Sequence, residues 1–250
     1  MITSQSTGQT GQMDVEARAR QSQGSSSKAI YEMVARTIAT RQPKGGALVD
    51  VGCGAGKLLQ HMGVGTADLQ EPQCDRTKVE RRQAYRYIGV DAVRYDAFPA
   101  EAEFIPLDLD TGKIPLADGF ADVVCAVETI EHLENPRAFV RELVRLTKPR
   151  GWVIITTPNQ LSLLSKITLL LKNQFNAFQE SPGLYPAHIT ALLEIDLIRI
   201  FTESGLSNIK TDFTNQGRIP FTSWHWPKNL GFQGRAFSDN ILCVGLKPKR

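Results

Sequence analysis

The stretch Ala47-Leu48-Val49-Asp50-Val51-Gly52-Cys53-Gly54-Ala55-Gly56-Lys57 decides how the rest of the chain is read. Small and apolar residues lead into an acid, and glycines then fall at alternate positions, Gly52, Gly54 and Gly56. That is the pattern of a buried parallel strand passing through a tight turn into a helix N-terminus. Glycine suits the turn because it takes dihedrals that side chains disfavour and lets a ligand approach the backbone. Two nucleotide-binding signatures fail here. A P-loop would need Gly where Val51 stands and a hydroxyl residue where Leu58 stands. The dinucleotide fingerprint would need its third glycine at Lys57.

Working outward, residues 1–27 are rich in Ser, Gln, Gly and Thr and hold few large apolar side chains, which reads as a flexible arm. Ile30, Met33, Val34 and Ile38 then recur at helical spacing ahead of the first strand. Beyond the glycine turn a helix starts at Leu58, and the pattern dissolves into a polar insertion over 63–86 with a charged run, Asp75 to Arg82. That run reads as a solvated face. Strand signals return at Tyr87–Asp91, Glu103–Leu109, Ala121–Val127 and Gly151–Thr157, with a helix from Pro136 capped by Asn135. Five apolar strands alternating with helices or loops predict a doubly wound α/β fold. The last two strands are expected at Ser207–Phe213 and Asn240–Gly245.

Length and composition fit this reading. A chain of 250 residues, 42% hydrophobic, can bury one large α/β core. The net charge of +3 is only mildly basic, so it permits anionic surfaces without arguing for nucleic acid. Cys53, Cys74, Cys125 and Cys243 show no C-x-x-C spacing and read as buried thiols of a reducing, cytoplasmic compartment. The N-terminal residues lack the pattern of a signal peptide, and no apolar run reaches the roughly 18 to 20 residues of a membrane span.

Taken together, Asp50-x-Gly52-x-Gly54-x-Gly56, Asp91 and Asp108 closing the second and third strands, and Glu128-x-x-Glu131-His132-Leu after the fourth resemble the class I S-adenosylmethionine (SAM)-dependent methyltransferases. The resemblance covers residues 47 to about 160 and implies a doubly wound, mostly parallel seven-stranded sheet with an antiparallel last strand. It implies that the glycine turn meets the methionine portion of SAM while Asp50 orients the loop from below. Asp91 would accept from the ribose hydroxyls, and Asp108 with the backbone of Leu109 would read the adenine. The usual spacing of such a ribose acid is about twenty residues, and the insertion supplies the excess. Asp110 competes with Asp108 for its role, and Glu128 completes the expected cofactor set.

The acceptor side is less determined. Leu161 to Lys172 reads as a short, very apolar helix, with core or lid packing as the default and lipid contact as the minority reading. With Pro158-Asn159 and His188-Ile-Thr190, this cap region, 160–190, resembles bacterial methyltransferases of cell-surface sugar and glycolipid pathways. Trp224-His225-Trp226 is either an aromatic platform or a packed loop. The reading is therefore O-methylation of a small molecule, sugar or lipid-linked acceptor, with peripheral membrane contact left open. A nucleic-acid methyltransferase or a non-catalytic SAM-binding subunit are the alternatives. Glu131, His132 and His188 are the catalytic candidates, with a histidine as general base working near neutral pH. Glu-x-x-Glu-His with a later His also resembles the metal-holding arrangement of some small-RNA and quinone-pathway O-methyltransferases, but no metal is the preferred reading.

Overall fold

A computed structural model describes residues 15–42, 44–62, 85–110, 112–181 and 183–249. Seven strands form one sheet: β1 (Gly46–Val51), β2 (Tyr85–Asp91), β3 (Glu103–Pro106), β4 (Ala121–Val127), β5 (Thr147–Pro158), β6 (Ser207–Phe213) and β7 (Asn240–Leu246). Their order is β3-β2-β1-β4-β5-β7-β6. Strands β1 to β5 pair in parallel, and β7 enters antiparallel between β5 and β6. This is the expected sheet, with its antiparallel strand in the expected place.

Sequence accounts for the layers. In β4 nearly every residue is buried, as a parallel strand covered on both faces demands. Edge strand β6 instead alternates exposed Asn208, Lys210 and Asp212 with half-buried neighbours. Alternate core residues face opposite layers. Val49, Val124, Val153 and Ile155 pack with α4 (Pro136–Leu146) and α6 (Glu194–Glu203), while Leu48, Val123, Cys125 and Ile154 pack with α2 (Lys28–Arg41) and α3 (Lys57–His61). Helix α4 begins as anticipated, with Pro136 at its start and Asn135 Oδ1 accepting from the Ala138 N–H at 3.0 Å. Cys53, Cys125 and Cys243 are buried free thiols; Cys74 lies outside the described residues.

Two expectations change, and a third lies outside the described residues. The insertion and its charged run fall almost wholly within 63–84, outside the described residues. So do residues 1–14 of the expected arm, but residues 15–27 are not a loose tail. They form helix α1 (Val15–Gln21) and a strap, in which buried Arg18 pairs with Asp110, the Tyr95 hydroxyl donates to Ala19 O, and Gly24 O accepts from the Ala55 N–H at 2.9 Å. Composition averaged over 27 residues hid a short helix with a Glu16–Arg20 pair at i,i+4. Finally, α5 (Leu163–Lys172) does not pack its leucines inward: Ser165 and Thr168 are buried, whereas Leu169, Leu170 and Leu171 are exposed.

Candidate active site

The site lies at the carboxyl ends of the parallel strands, where β1 and β4 diverge to connect in opposite directions, the usual ligand position in such sheets. A cavity of about 400 Å³ opens there. Val51 ends β1, and the next two N–H groups, of Gly52 and Cys53, both donate to Val90 O on β2, at 2.7 and 3.2 Å. The turn needs glycine for space as well as dihedrals. Gly52 has φ +75°, and a Cβ there would sit 2.2 Å from Thr129 Oγ1. At Gly54, φ +50°, a Cβ would meet Gly24 O at 2.3 Å, so the strap lies directly on the turn. Gly56 is the N-cap residue of α3.

Asp91 closes β2 and is buried. Its Oδ2 accepts from the Gly54 N–H at 2.8 Å and its Oδ1 from the Val93 N–H at 3.2 Å, so one carboxylate ties the two ligand loops together. Burial raises its pKa, and these backbone donors oppose the shift. Asp50 lines the cavity, but it holds neighbouring strands rather than the glycine turn. Its carboxylate accepts from the Tyr87 hydroxyl at 2.6 Å and from Cys125 Sγ at 3.5 Å, and burial pushes its pKa to about 6. Leu109 lines the cavity while Asp108 is exposed and accepts from the Asp110 N–H at 2.9 Å. Asp110 pairs with Arg18 and also accepts from the Glu134 N–H. The third-strand acids therefore act on their own loop and on the strap, and of the two expected adenine contacts only Leu109 faces the cavity.

On the acceptor side four residues converge. Glu128 follows β4 with φ +49°, held by its N–H donating to Thr156 Oγ1 at 3.0 Å. Its Oε2 accepts from Asn240 Nδ2 at 2.7 Å, its Oε1 is buried without a hydrogen bond, and burial pushes its pKa to about 7. Glu131, in the short 3-10 turn Ile130–His132, is fully buried. Its Oε2 accepts from Thr157 Oγ1 at 3.1 Å, and Oε1 has no hydrogen bond. Burial first, and Glu128 second, push its pKa well up. The Glu131 carbonyl accepts from the N–H groups of Ile189 and Thr190, which pins the distant loop and delivers His188. His188 Nε2 lies 4.0 Å from Glu131 Oε1.

Both rings have a fixed tautomer. His132 Nδ1 donates to Ala187 O at 3.0 Å and His188 Nδ1 to Ala177 O at 2.9 Å, which leaves each neutral ring with a bare Nε2. Desolvation lowers both pKa values to about 4, so neither ring titrates near neutral pH as the general-base expectation required. Glu131, His132 and His188 offer ligand atoms within 4.8 Å of one another. Bare imidazole nitrogens beside carboxylate oxygens that lack partners are the donor set of a divalent cation, so these residues fit one. Fixed Nδ1–H bonds to carbonyls are also how metal-ligating histidines are usually held.

Comparison with known proteins bears on this geometry. A family model described as a methyltransferase domain matches residues 25–211. The chain belongs to that family. S-adenosylmethionine is its cofactor, as the resemblance implied. Among curated relatives, the ubiquinone biosynthesis O-methyltransferase of Thiobacillus denitrificans is 35% identical over 131 residues, covering 50% of each chain. The mitochondrial enzyme of the same name from Bos taurus is 24% identical over 226 residues, covering 85% of this chain and 56% of its own. This chain spans about half the length of the curated relatives it matches. The crystal structure of a SAM-dependent methyltransferase from Archaeoglobus fulgidus matches with TM-score 0.55 at 17% identity, covering 87% of this chain and 94% of that one.

Sequence reading missed the strap. Arg18, Ser22 and Ser25 to Ser27 line the cavity, as do Asn240 and Arg218 from the other end of the chain. No motif marks them.

Proposed function

We propose that this protein transfers the methyl group of SAM to a hydroxyl oxygen of a small-molecule, sugar or lipid-linked acceptor. The observation that carries this reading is the cluster of buried Glu131 and His188 with half-buried Glu128 and His132 beside the cofactor cavity, poor in protons at the histidines and rich in acceptor atoms. The O-methyltransferase names of the curated relatives support oxygen as the target.

In the reaction the acceptor oxygen loses its proton and attacks the methyl carbon in line. The carbon–sulfur bond breaks with its electrons going to sulfur, leaving S-adenosylhomocysteine. Glycine-turn backbone and Asp91 hold the methionine and ribose ends, so the methyl group is presented in one orientation. Glu128, with a pKa of about 7 and a bare Oε1, receives the hydroxyl proton. Glu131, His132 and His188 would hold a divalent cation, which supplies positive charge that orients and acidifies a hydroxyl. Here the preference runs against the metal-free expectation, because rings with pKa values near 4 are poor bases and good ligands.

The test is incubation with methyl-labelled SAM and acceptor panels of phenols, sugars and glycolipids, with and without EDTA. Label on an acceptor oxygen, lost in EDTA and restored by Mg²⁺ or Mn²⁺, is expected. Label on nitrogen, carbon or nucleic acid overturns the oxygen assignment, and full turnover in EDTA overturns the cation.

A further inference from the structure

Two segments on the acceptor side, 159–179 and 214–237, contain five Lys or Arg and no Asp or Glu. With 26 acidic residues in 250, about five would be expected in that much chain. Both segments line the cavity, the first through Ser162, Ser165 and Asn176, the second through Gln216, Arg218 and His225. Both also turn large apolar side chains to solvent: Leu170 is 84% exposed and Leu171 65%, Phe221 84% and Trp224 73%.

Helix α5 is inverted relative to an ordinary surface helix. Leu163, Ile167, Leu170 and Leu171 fall at i, i+4, i+7 and i+8, the spacing of a single apolar stripe. The C-terminal half of that stripe, Leu170 and Leu171, is exposed, with exposed Lys166 beside it, while Leu163 and Ile167 are half-buried and Ser165 and Thr168 are buried on the opposite side. The polar side is satisfied internally: Ser165 Oγ donates to Gln160 Oε1 and accepts from the Asn176 N–H.

We propose that this rim docks on an anionic lipid surface, with Leu170 and Leu171 as its apolar anchors and Lys166 and Lys228 facing the headgroups. Charge complementarity selects this occupant. In α5 the apolar anchors are bracketed by Lys166 and Lys172 with no acid in the helix, the pattern of helices that lie in a membrane interface. Lys is instead depleted from the cores of protein–protein interfaces. Arg218 and Arg235 are paired with Asp239 and Glu194, so the lysines carry the headgroup attraction. Docking would leave one helix thickness, about 10 Å, between lipid and the cavity wall at Ser162 and Ser165. A methyl acceptor borne by the bilayer would then be close to the cofactor.

The experiment is co-sedimentation of the full chain with neutral phosphatidylcholine vesicles and with vesicles containing phosphatidylglycerol, at low and high salt. It needs no acceptor or turnover, so its failure is separate from failure of the O-methyl-transfer reading. Binding is expected to the anionic vesicles, weakened by salt, and reduced about tenfold or more in Leu170→Ser/Leu171→Ser. Lys166→Glu should weaken anionic binding severalfold and leave the melting temperature unchanged, because the side chain is exposed. Binding that ignores headgroup charge, or no binding by the wild-type chain, overturns the proposal. Self-association in place of lipid binding, abolished by the double serine variant, overturns it in favour of a second copy as the occupant.

Discussion

Replacing Asp91 by Ala tests the cofactor site and the fold together. Asp91 accepts from the Gly54 N–H through Oδ2 and from the Val93 N–H through Oδ1, and lone pairs remain for a ribose hydroxyl. A hydrogen bond to a charged acceptor is worth about 1.5–3 kcal/mol. Losing one such contact weakens SAM binding by roughly ten- to 150-fold, and losing both weakens it further. The same substitution leaves the Gly54 N–H without its partner, which costs about 1–3 kcal/mol in a buried turn. For a chain of this size that lowers Tm by roughly 2–4 °C per kcal/mol. Asp91→Asn separates the two effects. It retains an oxygen for Gly54 but has no charge, so its Tm should fall less while SAM affinity still drops. Calorimetry with SAM and a thermal melt without ligand measure the two quantities. An Asp91→Ala protein whose Kd for SAM stays within twofold of wild type would refute the assignment.

Further expectations concern the strap, the pH response and the polar cluster. Deleting residues 1–20 removes α1 and the buried Arg18–Asp110 pair, so Tm and SAM affinity should both fall; an unchanged melt would show that the strap carries no packing energy. Arg18→Ala alone should destabilise by about 3–5 kcal/mol, the usual cost of leaving one partner of a buried ion pair behind, read by denaturant unfolding. Asp50, raised to about 6, contributes stability below pH 4 that is lost as pH rises through 6, whereas the lowered histidines contribute above pH 6.5 and lose it as pH falls toward 4. Net-cationic SAM favours ionised Asp50, so the SAM-induced Tm shift should be larger at pH 7.5 than at pH 5, and a shift independent of pH would exclude contact with that charge. Glu131→Gln keeps the shape but replaces a carboxylate oxygen that would ligate the proposed cation, and should lower kcat about 100-fold or more with SAM affinity within twofold; matched losses in both would mean a structural role only.

The sheet was legible because its strands carry their own signal. Apolar runs such as Val123–Val127 point to strands buried on both faces, and the glycine spacing marks the turn after β1. The position of Asp91 at the cavity was legible because it ends such a run. What was not legible depends on contacts between distant segments. Asp108 and Asp110 are two residues apart, and only the position of Arg18 from the strap separates their roles. The direction in which α5 faces could not be read either, since an apolar stripe has the same spacing whether it turns inward or outward. Burial of its serines, bonded to Gln160 and the Asn176 backbone, decides the matter.

The same dependence supports the proposal that the polar cluster serves chemistry rather than packing. Glu131 and His132 are neighbours in sequence, but His188 reaches them only because the Ile189 and Thr190 N–H groups bond to the Glu131 carbonyl. That construction stabilises the loop while leaving two carboxylate oxygens buried without hydrogen bonds. Each such oxygen costs about 1–3 kcal/mol, and the histidines are held neutral at a further cost as pH falls. A core selected for stability alone would fill this volume with apolar side chains, as the layers on either side of β4 do. Buried carboxylate oxygens without hydrogen bonds and bare imidazole nitrogens concentrated beside the cofactor cavity are where the proposed cation and acceptor would recover binding energy.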